Sequence, residues 1–353
     1  KMIGGNEMDG KVVDTSKAYE VALENELLVT SSPHIRSHES VQRIMLDVII
    51  ALAPAIIGSV YFFGLNALKL ILISVASSMV FEAIIQKIFN RPITLDDFSA
   101  IITGILIAFN LPADAPWWLP VAGSAFAIIV VKQFFGGLGA NFMNPALAAR
   151  AFLLSSWPSH MASFTGTRPD VVATATPLAI MKYGMGPDTA ASATVAAATS
   201  ASEAAGAELP TLWNMFIGSI PGAIGETSTL LLLIGAAYLL IRKVIDWKIP
   251  VFYLGTTFIM LVLLGVEAEF LSYHMLGGGL ILGAFFMATD YVTTPVTPVG
   301  RIIFGIGAGI LTALIRVKGG YPEGVSYSIL LMNVATPLIE KFTRPRVFGE
   351  VKN

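Results

Sequence analysis

No cysteine occurs anywhere in the 353-residue sequence, which excludes disulfides, thiol nucleophiles and Cys-ligated zinc or iron–sulfur sites. Four scattered histidines leave little for haem or metal ligation. Charge is scarce as well, at 13% of residues against roughly 25% in an ordinary soluble protein. With 22 Lys and Arg against 24 Asp and Glu, the formal net charge is -2, so there is no basic field for nucleic acid. What is abundant is apolar: 55% hydrophobic residues and a mean hydropathy of +0.73 mark an integral membrane protein. Any redox role then requires an organic cofactor.

The hydropathy pattern predicts an all-α polytopic membrane protein. With about 20 apolar residues needed per crossing, helices are expected at 44–63, 67–88, 98–110, 117–134 and 144–157, and again at 229–242, 249–266, 271–289, 301–315 and 325–340. That makes about ten transmembrane segments in two five-helix halves, several of them short. Short segments broken by Gly or Pro at matching places of two halves mark half-helices around a central site. The expected organisation is a cytoplasmic N-terminal segment 1–40, a first membrane half 41–157 and an extracytoplasmic loop with a re-entrant segment, 158–228. A second membrane half, 229–342, and a cytoplasmic tail, 343–353, follow.

The N-terminal segment does not read as a signal peptide, since no short apolar core with a small-residue cleavage site follows a basic start. His34, Arg36, His38 and Arg43 flank the first apolar run and predict a cytoplasmic N-terminus. Connections assigned to the inside hold Lys87, Arg91, Lys132, Arg242, Lys243, Lys248, Arg301, Lys341, Arg344 and Arg346; those assigned outside hold Lys69, Arg168, Lys182, Arg316 and Lys318. The excess places both termini in the cytoplasm and the long 158–212 connection on the outer face. Its second half, 189–207, is nearly all Ala, Ser and Thr and reads as a tether or weak surface helix. Its first half mixes turn formers, an acid and two hydroxyls.

Four places could carry chemistry. The stretch 213–228, WNMFIGSIPGAIGETS, is interrupted by Gly218, Pro221, Gly222 and Gly225, which predicts a re-entrant or bent half-helix. Its glycines could admit an anion to backbone N–H groups, with Thr227 or Ser228 capping the next helix, or could serve close helix packing. In 288–301, two prolines and four threonines predict unwound backbone near the inner surface, either a rigid elbow or a cofactor or ion site. Asp47, Glu82, Arg150 and His274 interrupt apolar runs, with Asp290 at a helix end; ionisable groups at membrane depth are functional candidates by default. Asp47 and Glu82 could also lie near the inner interface, and His274 reads as a helix-end cap.

Three stretches, 170–178, 218–228 and 288–301 continuing through Gly319-Gly320-Tyr321-Pro322-Glu323-Gly324, together resemble the D subunits of the Rnf complex. They are similar also to the B subunit of the sodium-pumping NADH:quinone oxidoreductase. The resemblance spans about residues 34–346. In that family a threonine ending a D-G-x-S-G-A-T-like motif carries FMN through a phosphoester bond made by a flavin transferase. Here the frame keeps Asp170, Ala175, Thr176, Pro177 and Leu178 while Ser-Gly becomes Ala173-Thr174, so Thr176 inherits the acceptor role, with Thr174 a second hydroxyl two residues away.

The resemblance further implies a second, noncovalent flavin, riboflavin, between the halves of the bundle. The element 290–301 and the matching element from Asn144-Pro145 to Arg150 are its expected surroundings, each taken to follow a glycine-rich region and expose unpaired backbone groups. Asn144, Arg150, Gly222, Glu226, Thr294 and Arg301 are candidate flavin or loop contacts, and Asp47, Glu82 and Asp290 candidate ion-coupling acids.

The implied function is electron relay across the inner cell membrane in a ferredoxin:NAD oxidoreductase coupled to sodium or proton movement. The chain has no nucleotide fingerprint, so terminal reactions fall to other subunits. Implied partners are the extracytoplasmic FMN-bearing G subunit, the membrane A and E subunits, the flavin transferase and lipid. The competing readings are a secondary transporter or channel, suggested by the five-plus-five layout and intramembrane acids, and a cofactor-free scaffold.

Overall fold

Every regular element is a helix among the residues that the structure, a computed structural model, describes: 40–162, 164, 176–184, 209–226 and 228–345. The expectations placed on Asp170, Thr174, Ala175, Thr227, the 189–207 tract and the N-terminal histidines lie outside them.

Three helices are long and apolar enough to cross a bilayer: α1 (Val41–Phe63), α2 (Leu65–Ile88) and α11 (Pro298–Lys318). Shorter apolar helices are α3 (Ser99–Phe109), α4 (Trp118–Gln133), α7 (Thr229–Ile241) and α8 (Lys248–Leu263). Between them lie α5 (Pro145–Ser156), α6 (Leu212–Ile217), α9 (Ala268–Leu276) and α10 (Leu280–Met287), and α12 (Val325–Thr343) closes the described chain. Side chains such as Ile57, Leu72, Ile234, Leu263 and Leu338 stand exposed around the bundle, as lipid-facing residues should.

Several expected boundaries move. The 271–289 helix is two pieces: α9 and α10 pass as one span only with a 56° bend. Gly277, Gly278 and Gly279 make the break, and Gly278 and Gly279 take φ of +64° and +66°. The 301–315 helix is longer, beginning at Pro298, because Thr297 caps it by accepting from the Gly300 N–H. The 144–157 helix forms as expected, but its start does not expose unpaired backbone groups: the Asn144 side chain accepts from the N–H groups of Ala146 and Leu147 and Pro145 takes the first helical position. The irregular stretch is the one before it, after α4 relaxes into π-helix over Phe126–Gln133.

Small residues set the closest helix contacts. A Cβ at Gly104 would lie 2.7 Å from the Val75 Cα, and one at Gly235 would lie 2.0 Å from the Ala51 carbonyl oxygen. Hence α3 lies on α2, and α7, from the second half, lies on α1, from the first. Ser74 donates to the Gly104 carbonyl at 2.7 Å across the first contact.

Helix α3 is 11 residues long, about 16 Å at 1.5 Å per residue, roughly half a hydrocarbon core. Its C-terminal exit meets the 218–226 segment: Ile224 N donates to Leu111 O at 2.9 Å, Gly225 N donates to Phe109 O at 3.0 Å, and Pro112 bridges Ala223. Residues 213–226 thus form one short helix followed by largely buried turns that pair with the end of α3. Gly225 serves packing, since a Cβ there would lie 2.2 Å from Phe109.

Candidate functional site

Buried charge organises the interior into two clusters, one at each end of the helices. At the end where α1, α3, α5, α8 and α11 begin, the Lys132 ammonium donates to Glu82 at 2.7 and 2.9 Å and to Ser99 Oγ at 2.6 Å. Gln133 adds a bond to Glu82 at 2.8 Å. Glu82 and Lys132 are 1% and 2% exposed, so Lys132 is no loop charge and does not belong in an orientation count. Arg316, inside the last turn of α11, and Lys69, inside α2, leave that count for the same reason. Asp47 sits at this end too, accepting from Tyr238 at 2.7 Å and Arg242 at 3.0 Å.

A cavity opens beside this cluster, with about 840 Å³ of empty space including its mouth. Both halves line it: Met45, Ser99, Lys132 and Asn144 from one, Phe285 and Asp290 from the other. The two sequence elements expected to surround one ligand therefore meet there. Asn144 also ties the halves, donating to Met287 O at 3.3 Å while its backbone N–H donates to Asn333 Oδ1 at 3.1 Å. The Asp290 carboxylate accepts from Thr293 Oγ1 at 3.1 Å, and its backbone carbonyl accepts from Thr294 Oγ1 at 2.7 Å. Among the described residues it has no ion pair. Arg301 lies apart from this cavity, bonded to Asp246 at 2.8 Å and to Pro295 O at 3.2 Å.

The opposite cluster centres on Arg150. Its guanidinium donates to Asn110 Oδ1 at 2.7 Å and pairs with Glu226 and Glu323. One cation thereby joins α5, the end of α3, the 218–226 segment and the turn between α11 and α12. Glu226 fits only because the break at α9–α10 is glycine: a Cβ at Gly279 would lie 2.5 Å from its carboxylate. Gly222 is buried in the same segment. His274 Nδ1 is buried with no hydrogen-bond partner among the described residues, while its carbonyl accepts from Arg316.

Arg150 and Glu323 line a cleft of about 760 Å³, mouth included, together with Met161, Phe164, Thr176, Tyr321 and Tyr327. Tyr321 and Tyr327 stack with ring centroids 5.3 Å apart. Thr176 is 8% exposed and caps a short helical turn, its Oγ1 accepting from Ala179 N at 3.3 Å. Pro177 and Leu178 are buried beside it. Of the candidates, Thr176, Arg150 and Glu226 come together here, Asn144 and Asp290 line the inner cavity, and Thr294 is bonded to Asp290. Sequence reasoning passed over Lys132, Tyr327 and Lys182, which carry no motif of their own; Tyr321 and Glu323 were visible in Gly319–Gly324 without a role.

The family model described as "NQR2, RnfD, RnfE family" matches residues 28–349. The chain is 53% identical to the D subunit of the Na(+)-translocating ferredoxin:NAD(+) oxidoreductase complex of Acetobacterium woodii, covering 92% of this chain and 96% of that protein. It is 45% identical to the D subunit of the proton-translocating ferredoxin:NAD(+) oxidoreductase complex of Clostridium ljungdahlii, covering 92% and 97%. It is 37% identical to the D subunit of the ion-translocating oxidoreductase complex of Salmonella typhi, covering 92% and 99%. A broken-helix bundle with a shared inner cavity, a threonine-lined cleft and matches over nearly full length agree in one assignment: the chain belongs to the NQR2, RnfD, RnfE family of membrane proteins.

Proposed function

We propose that this chain is the D subunit of an ion-translocating ferredoxin:NAD oxidoreductase complex in the inner cell membrane, relaying electrons across the bilayer through FMN esterified to Thr176. The observation that carries this reading is the position of Thr176 on the wall of a cleft built from both halves. The residues there suit a flavin. Tyr321, Tyr327 and Phe164 offer apolar and aromatic faces, the paired Arg150 and Glu323 offer polar groups, and a phosphoester at Thr176 would hold the group against loss to the outer medium. Bound there, the flavin supplies reversible electron transfer, while the protein sets its potential through burial and hydrogen bonding.

The second, noncovalent flavin, riboflavin, is assigned to the inner cavity. Its walls are largely apolar, with Lys132, Asn144 and Asp290 as the polar groups that fix orientation. What supports this is that the two elements named from sequence, in opposite halves, line the same space. The partners on this reading are other subunits of the complex, among them the G, A and E subunits, with a flavin transferase for maturation.

Peptide mass spectrometry over residues 168–182 tests the acceptor directly and should find FMN on Thr176. Thr176→Ala should insert and fold while its denatured polypeptide loses fluorescence under ultraviolet light. Retained covalent flavin in that variant moves the site to Thr174 or ends the assignment.

A further inference from the structure

The short helical segment that begins at Thr176 is held by a contact far from it in sequence. The Lys182 ammonium donates to four backbone carbonyls: Arg316 O at 3.0 Å, Tyr321 O at 2.9 Å, Ile315 O at 3.3 Å and Gly319 O. These are the last carbonyls of α11 and the turn that follows. The last carbonyls of a helix have no partner within it and carry the negative end of its dipole, so a cation from elsewhere in the chain completes this terminus. Lys182 is only partly exposed. None of its four acceptors is a side chain.

The contact has two consequences for the cleft. It fixes the turn that carries Tyr321 and Glu323, one wall, and it fixes the segment that carries Thr176, the other. Leu178 seats the same segment on the α9–α10 break: a Cβ at Gly278 would lie 2.3 Å from the Leu178 Cδ1 and one at Gly277 3.5 Å from its Cγ. Ala179, between these anchors, is 2% exposed.

We propose that Lys182 is a positioning residue, the latch that docks the acceptor segment onto the outer end of α11 and so decides where a group carried on Thr176 lies in the cleft. This rests on the reading of Thr176 as a flavin acceptor, but the docking itself is measurable without flavin. Lys182 donates to no atom of Thr176, so its role is to set position and not to form the ester.

The absence of native cysteine makes the test clean. In membranes holding the assembled complex, a single thiol from Ala179→Cys should react slowly with maleimide. Adding Lys182→Met should speed that reaction at least tenfold, and adding Lys182→Arg, which keeps the charge, should keep it within about threefold of the parent. On the Lys182→Met protein without the thiol, covalent flavin on denaturing gels should stay within twofold, while native flavin anisotropy falls and iodide quenching rises at least threefold. Unchanged thiol protection in Lys182→Met overturns the proposal. So does an opened segment whose flavin keeps its native anisotropy and quenching, or a loss of the covalent load itself. A parent protein without covalent flavin ends the assignment of Thr176, and the thiol rates alone then decide the latch.

Discussion

At the scale of single residues, the interior is governed by charges that satisfy one another. Arg150 holds two carboxylates, Glu226 and Glu323, and removing one member of such a buried set leaves the rest uncompensated, at a cost of about 3–5 kcal/mol. Arg150→Met should therefore lower thermal stability in detergent, and adding Glu226→Gln and Glu323→Gln should recover part of the loss. Equal stability of Arg150→Met and the parent would show that water reaches the cluster. Asp290 differs, since hydroxyl and backbone groups bond it and no cation does among the described residues. Asp290→Asn keeps those bonds and removes only the charge. If the carboxylate balances a moving cation, ion-coupled electron transfer by the complex should fall several-fold while the flavin load proposed for Thr176 equals that of the parent; full coupled activity would leave Asp290 a structural cap. These residues were legible individually, because ionisable groups in apolar runs stand out. Their partners were not: Lys132 reads as a loop charge until the helix end that buries it against Glu82 is known.

At the scale of elements, broken helices create the places where polar groups can collect. The glycines at 277–279 turn the chain by 56°, and their missing side chains admit Leu178 and Glu226. Gly279→Ala would place a Cβ on a residue with φ +66° and drive it into the Glu226 carboxylate. The strained φ alone costs roughly 1–2 kcal/mol, so this variant should be less stable than Gly255→Ala, where a Cβ meets nothing within 4 Å. A comparison of the two melting temperatures checks the order. The apolar run predicts one helix, 271–289, through these glycines, so neither the break nor what fills it was legible in the sequence. Asn144-Pro145 begins the helix expected at 144–157; what misled was the expectation of unpaired backbone groups there, because Pro at the first helical position and Pro in a break look alike in sequence.

At the scale of the whole molecule, the two halves are joined at both ends of the helices. Helix α7 lies on α1, Asn144 bonds Met287 and Asn333, and Arg150 pairs with a carboxylate from the second half. With Lys69, Lys87, Lys132 and Arg316 set aside as helix residues, the remaining loop cations still favour the end holding Arg91, Arg242 and Lys243 as cytoplasmic. Single cysteines at Trp213, 67% exposed, and at Arg344 test this in intact cells. The first should react with an impermeant maleimide and the second only after the membrane is opened; the reverse pattern would invert the topology and move Thr176 to the inner face.

By itself the sequence determined the membrane class, the position of most apolar helices within a few residues, the interruption at 218–225, and the threonine that resembles a flavin acceptor. Those properties follow from local composition: apolar run length, helix-breaking residues and a short motif. Tertiary structure alone decided which charges pair, that Tyr321 and Tyr327 wall the cleft beside Thr176, that Lys182 closes the end of α11, and that elements of opposite halves share one cavity. Each of these joins residues distant in sequence, and in a hydrocarbon interior a polar group's meaning is set by the partner that compensates its burial.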